Sequence, residues 1–218
     1  MKRTAGILMM LSFIQLCFAQ PNPSSEDWKI RKEENGITVY SRHEDGVPID
    51  EIKVVNTVHA SLPAVVAVLL DVSNYPNWIY RCTEGKVLTQ VADSEQYQYQ
   101  VNDGPYPVSD RDVVVHFSVW QDAKTKIVYT HSVGVPDYIP KKDGVVRMPM
   151  FDGGYQLIPQ GNGDVQIVYT LMLDPGGSVP DWIVNWMITS GPYETQLKMK
   201  DEVQKAKYLN QKFSFIKE

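Results

Sequence analysis

Cysteine is scarce in this chain, with Cys17 and Cys82 its two examples. Cys17 falls in an N-terminal stretch that reads as a removable leader, which leaves Cys82 alone and excludes an internal disulfide. For Cys82, a reactive thiol and an inert buried one are both open readings, and the second is the commoner role. The four histidines, His43, His59, His116 and His131, show no metal-ligand spacing. Neither G-x-S-x-G, H-E-x-x-H nor a glycine-rich phosphate loop occurs, so no metal, cofactor or catalytic residue is assigned. Basic charge is also lacking, since 21 Lys and Arg face 26 Asp and Glu for a net charge of −5, which argues against a nucleic-acid partner. The longest apolar run, Ala5 to Phe18, is shorter than the roughly 20 residues that a membrane-spanning helix needs.

That run follows Lys2-Arg3 and ends in Cys17-Phe18-Ala19, with small residues three and one before a cut. The pattern predicts a cleaved signal peptide over residues 1–19 and hence an exported protein, periplasmic or extracellular. A polar, Pro-containing leader occupies 20–27, a single domain 28–211 and a short tail 212–218. About 199 residues remain after cleavage, enough for one domain with a sizeable core. Removing Lys2 and Arg3 leaves 19 basic against 26 acidic residues, a net charge of about −7.

Asn35-Gly36 between Lys29–Glu33 and Ile37–Arg42 is a strong hairpin signal. An alternating strand follows at Glu51–Ala60, and Ser61-Leu62-Pro63 sets up a short apolar helix over Ala64–Asp71. Extended segments are then expected near Lys86–Val91, Gln96–Val101, Arg111–Trp120, Lys126–Val133, Val145–Met150, Gly154–Pro159 and Asp164–Leu173. Their connections are too short for parallel crossovers, so the sheet is expected to be antiparallel throughout.

From Ser178, the expected N-cap, to about Gln211 the spacing becomes helical. Val179, Trp182, Ile183, Trp186, Ser190, Tyr193 and Leu197 fall on one stripe. Gly191-Pro192 should kink this helix into a buried first half and a solvated, charged second half, Lys198 to Lys207. A twisted antiparallel sheet of eight or nine strands curls, and this helix is the only element long and apolar enough to fill its concave face. The expected class is therefore α+β, a helix grip: a curved antiparallel sheet wrapped around a long C-terminal helix.

Three stretches resemble the START (steroidogenic acute regulatory protein-related lipid transfer) family. They are Tyr75-Pro76-Asn77-Trp78 running into Val87-Leu88, Pro105-Tyr106-Pro107-Val108-Ser109-Asp110-Arg111-Asp112-Val113, and Ser178-Val179-Pro180-Asp181-Trp182-Ile183-Val184-Asn185 with Gly191-Pro192. Together they lie within Trp28 to Tyr208. The resemblance implies a U-shaped sheet over the last helix and a tunnel for one hydrophobic molecule, usually a lipid. Sterol-binding members resemble one another in an internal acid and arginine; the matching positions here are Gln98 and Phe117, so that pair is absent.

The candidate ligand-binding set is Tyr97, Gln98, Tyr99, Val115 and Phe117 from the strands with Ile183, Met187 and Ser190 from the helix. The loop Val135–Gly144, with Tyr138 and Ile139 at its tip, is the candidate lid. For Arg111, holding a ligand headgroup and pairing with Asp110 or Asp112 are both open roles. The expected function is binding of a hydrophobic small molecule, with transfer as an open further role, by a monomer in transient contact with a membrane. The alternatives are a cyclase- or aromatase-like enzyme using the same cavity, and an interaction module whose interior is filled.

Overall fold

The computed structural model describes residues 28–43 and 50–217, and only the backbone of Asp181, Trp182, Asn185 and Trp186. The expected signal peptide and leader lie outside the described residues, as do the side chains of Trp182 and Trp186. Ten strands form one sheet: β1 (Lys29–Glu34), β2 (Ile37–Arg42), β3 (Glu51–His59), β4 (Cys82–Ala92), β5 (Glu95–Asn102), β6 (Asp110–Gln121), β7 (Val128–Gly134), β8 (Val145–Arg147), β9 (Met150–Gly161) and β10 (Asp164–Asp174). Their order is β1-β2-β3-β10-β9-β7-β6-β5-β4, antiparallel along the whole path. The departure from the expected sheet is β8, which pairs parallel to β6 beyond the end of β7. Chain economy explains it, because the long 135–144 excursion lets the backbone return in the same direction.

Local chemistry accounts for the joints. Asn35 and Gly36 both adopt positive φ, the geometry of a two-residue turn whose twist suits a hairpin. The first helix, α1 (Leu62–Leu70), starts two residues earlier than its sequence pattern suggests, because the Ser61 hydroxyl accepts the Ala64 N–H and Pro63 needs no partner in the first turn. A 3-10 turn (Val72–Asn74) and a single helical turn, α2 (Tyr75–Trp78), then carry the chain to β4. At Gly85 the sheet passes so close to this turn that a Cβ would sit 2.2 Å from the Val72 carbonyl.

The long helix, α3 (Asp181–Glu202), begins after Pro180 and not after Ser178. It continues through Pro192 as one helix, although that residue has no N–H to give, and stops at Glu202; a last turn, α4 (Ala206–Leu209), follows. Burial departs in part from the sequence expectation: Lys198, Asp201 and Lys207 are exposed as expected, but the second half also carries a buried face. Tyr193, Gln196, Met199 and Val203 are fully or almost fully buried, whereas Met187, Thr189 and Ser190 are half-buried. Gln196, Met199 and Val203 recur at helical spacing on the face away from Lys198 and Asp201, so a narrow apolar stripe goes inward under a charged exterior.

The solid core is therefore at one end. All of α1 from Leu62 to Leu69 is buried among Phe117, Val119, Leu157 and Ile167 of the sheet, Met199 of α3 and Val203 just beyond its end. Asn74 donates to Glu202 Oε1 at 2.7 Å and to the Tyr208 hydroxyl at 3.1 Å, which clasps the end of α3 to the 3-10 turn. The tail also returns to the domain: Ile216 is buried, and the Lys217 N–H donates to Gln121 Oε1. At the opposite end the concave face is not filled.

Candidate functional site

Between the sheet and the first half of α3 lies a cavity of about 730 Å³. Its roof comes from α3 at helical spacing, with Val184, Met187, Ile188, Gly191 and Thr195. The floor is the concave face of the sheet, with Ile52, Val113, Phe151, Tyr155, Tyr169 and Leu171 among its apolar residues. A smaller void of about 70 Å³ continues inward past Tyr75, Trp78, Gln98, Val115 and Phe117. Both spaces share Gln100, Val113, Phe151, Tyr155 and Tyr169 as walls. The larger falls in the roughly 300–1,000 Å³ range of small-molecule sites.

Strand register decides which candidates face this space. In the β5–β6 ladder Gln98 lies opposite Val115, Gln100 opposite Val113 and Asn102 opposite Arg111. These even positions of β5 point into the fold. Gln98 Oε1 accepts from the Tyr75 hydroxyl at 3.1 Å, and Gln96 Nε2 donates to the Leu70 carbonyl at 3.3 Å. Gln98 Nε2 is buried without a partner. The polar face of the strand is thus the inner one.

Of the residues singled out from sequence, Gln98, Val115, Phe117 and Met187 line the two spaces. Ile183 is fully buried but borders neither, and half-buried Ser190 also lies off the wall. Tyr97 and Tyr99 point to the outer face, because alternate residues of a strand cannot share a side. Tyr97 stacks on Tyr138 with ring centroids 4.1 Å apart; Tyr99 packs with Val101 and Val114 beneath Val135 and Ile139. The 135–144 loop is accordingly laid over the convex face, and neither Tyr138 nor Ile139 borders the cavity. An apolar outer stripe on β5 and β6 needs that cover.

The loop beside the opening is a different one. Asp103, Gly104, Pro105 and Val108 line the cavity, and Tyr106 between them is 94% exposed. Asp110 Oδ1 accepts the Gly104 N–H at 3.0 Å and closes this loop on itself. Arg81 braces it by donating to the Asp103 carboxylate and, at 2.8 Å, to the Asp103 carbonyl. Sequence reading missed this segment as a rim because its prolines also served as a family signature.

Titratable groups inside are few. Burial pushes the phenols of Tyr75, Tyr155 and Tyr169 above their ordinary value, so at neutral pH they act as hydrogen-bonding hydroxyls. Burial likewise pushes the Cys82 thiol up to about 12, which suppresses the thiolate. His59, His131 and His116 pair at the surface with Asp164, Asp152 and Glu95. No cluster of three metal-ligating side chains occurs among the described residues.

A curved antiparallel sheet closed over a C-terminal helix, with a hollow between them, defines a helix-grip protein. The START domain family matches residues 9–208, and the chain belongs to that family. It is 31% identical over 201 residues to an uncharacterized protein of Pseudomonas aeruginosa, a match that covers 92% of this chain and 98% of that protein. Phosphatidylcholine transfer protein of Rattus norvegicus is 25% identical over 178 residues, covering 79% of this chain and 81% of the rat protein. The crystal structure of a STAR-related lipid transfer protein fragment from Xanthomonas axonopodis superposes with a TM-score of 0.76 at 31% identity, over 83% of this chain and 100% of that one.

Proposed function

We propose that this protein binds a lipid or similar hydrophobic small molecule in the hollow between the sheet and α3, and carries it unchanged. The observation that bears most weight is the 730 Å³ space walled largely by apolar side chains, which argues against an interior filled by the protein's own atoms. Burying about 300 Å² of apolar ligand surface there contributes ~7 kcal/mol before association costs, enough for capture without covalent chemistry. Gln98, Val115, Phe117 and Met187 are the proposed contacts, with the neutral tyrosine hydroxyls orienting the cargo.

Two further features extend this reading. Lys2-Arg3 and the apolar run after it support export, to a periplasm or beyond the cell. Exposed Tyr106 on the rim supports a brief membrane contact by a monomer during loading. The test of the whole is organic extraction of the purified protein followed by mass spectrometry, paired with lipid uptake from vesicles by the emptied protein. A stoichiometric lipid and saturable uptake are expected; an empty extract together with no uptake of any lipid would end the carrier reading.

A further inference from the structure

Arg111 is almost fully buried, at 4% exposure, and is one of the residues of the cavity wall. One of its N–H groups donates to the Ser109 carbonyl, while Nε has no partner. Its flanking acids are engaged elsewhere: Asp112 binds Arg147, and Asp110 accepts the Gly104 N–H. Among the described residues no carboxylate lies within ion-pair distance of this guanidinium. Asn102, opposite it in the ladder, is already bonded to the Tyr80 carbonyl and to Gln100.

The other charged groups on the wall are accounted for. Arg81 pairs with Asp103, Asp50 with Arg31 and His43, and Asp174 accepts the Gly176 N–H at 2.8 Å. The orphaned polar atoms carry a second message. Arg111, Gln98 and Trp78, whose Nε, Nε2 and Nε1 are buried without a partner, are wall residues of the two adjoining spaces, and all three atoms are N–H donors. Among the described residues the orphaned acceptors, on Asn56 and Gln196, belong to neither wall. Walls whose buried, unanswered side-chain atoms are donors, one of them permanently cationic, suit an occupant rich in acceptors.

We infer that Arg111 seats an oxyanion, the carboxylate or phosphate at the head of an acyl amphiphile whose chain runs inward along the floor towards Gln98. The inference rests on the carrier reading and adds the charge of the cargo's head to it. A planar guanidinium with free donors matches the two oxygens of a carboxylate or phosphate, and the arriving anion removes the penalty of a buried, unpaired charge. Burial presses the Arg111 pKa below the ordinary arginine value against the opposing pull of Asp110, consistent with a cation short of a partner. Four strand positions separate Arg111 from the level of Gln98, about 13 Å at strand rise, so head and chain sample different ends of the hollow.

The test compares matched acid and neutral probes on the full chain by native mass spectrometry and competition titration. One arm sets oleate against oleyl alcohol, the other phosphatidic acid against the diacylglycerol with the same chains, so that a carboxylate seat and a phosphate seat give different patterns. Wild type should prefer the acid in at least one arm by about 10- to 100-fold, the range for hydrogen bonds to charged groups. Arg111→Gln should bring that ratio to near unity by lowering the acid's affinity more than the neutral probe's, and Arg111→Lys should keep part of it. Equal wild-type affinity for acid and neutral probes, or a preference that survives in Arg111→Gln, overturns the seat but leaves the carrier reading standing. Failure of wild type to bind any of the four overturns the seat, and the carrier reading falls with it when the organic extract is also empty and no lipid is taken up. Because the wild-type ratio and Arg111→Lys decide the matter on their own, misfolding of Arg111→Gln would not protect the proposal.

Discussion

Arg147 grips Asp112 through two parallel hydrogen bonds, Nε to Oδ1 at 2.8 Å and Nη2 to Oδ2 at 2.9 Å, with both side chains 1% exposed. The same guanidinium donates to the carbonyls of Pro136 and Ile139. The pair therefore rivets the 135–144 loop to the convex face of β6. Arg147→Met should destabilise the protein by about 3–5 kcal/mol because it strands a buried carboxylate, whereas the double variant Asp112→Leu/Arg147→Met should recover most of the loss. Urea unfolding measures both. If a folded Arg147→Met protein took up lipid at an altered rate, the loop would regain its place as a lid.

Gly191 offers a way to fill the hollow without disturbing its walls. A Cβ built there has Tyr80 Cδ1 as its nearest neighbour, 3.9 Å away, and the residue forms part of the cavity roof. For Gly191→Leu the helix-propensity gain of about 0.8–1 kcal/mol is offset by crowding against the ring of Pro192, so stability should change little. The added branch occupies ligand space, and lipid uptake should fall roughly tenfold, equivalent to the 1–3 kcal/mol of an overpacked site. Unchanged uptake would mean that cargo lies elsewhere.

Gln98 separates structural from ligand roles on the opposite wall. Its Nε2 has no partner, and its Oε1 shares the Tyr75 hydroxyl with the Leu69 carbonyl, which is closer at 2.6 Å. Gln98→Leu should therefore shift unfolding free energy by no more than ~1 kcal/mol, since Tyr75 keeps its better acceptor. Cargo selectivity should move further than stability does, with lipids bearing an internal ester or hydroxyl losing their advantage over plain hydrocarbons. Competition titration on folded variant and wild type reads that shift.

The helix grip was legible because its signals are periodic and strong. Asn35-Gly36, the alternation in Asp164–Leu173 and the helical spacing after Pro180 each name one element type, and the family signatures order them. Facing was harder. Tyr97 and Tyr99 looked like cavity residues because apolar side chains belong inside, but a loop far along the chain covers them and leaves the glutamines to face the hollow. No local pattern reports that cover. The buried face of α3 near Met199 was missed for a related reason, since charges at Lys198, Lys200 and Asp201 outnumber the apolar residues between them. Arg111 was legible as a residue of interest, while its lack of a counter-ion emerged only when Asp112 was seen to belong to Arg147.

Asp71 ties the close of α1 to the C-terminal turn and should make part of the stability acid-sensitive. Its Oδ2 accepts from Lys207 Nζ at 2.8 Å and from the Tyr208 hydroxyl at 2.9 Å, and its Oδ1 accepts from Ser73 at 2.9 Å. Burial raises the carboxyl pKa, but the bonds from Lys207, Ser73 and Tyr208 and the charge of Lys207 outweigh it and hold the value below the ordinary 3.8. The folded state thus binds this proton more weakly than the unfolded chain does. Its contribution is complete above the unfolded value and is lost as pH falls through the lower folded one. Asp71→Asn should accordingly be less stable than wild type at neutral pH, by no more than ~1 kcal/mol for a solvent-screened cluster, with the gap closing below pH 3.8. Urea unfolding from neutral pH to about pH 2 follows the difference across the window in which the carboxylate titrates. A gap that stayed constant through that window would assign the effect of Asp71 to its shape and not to its charge.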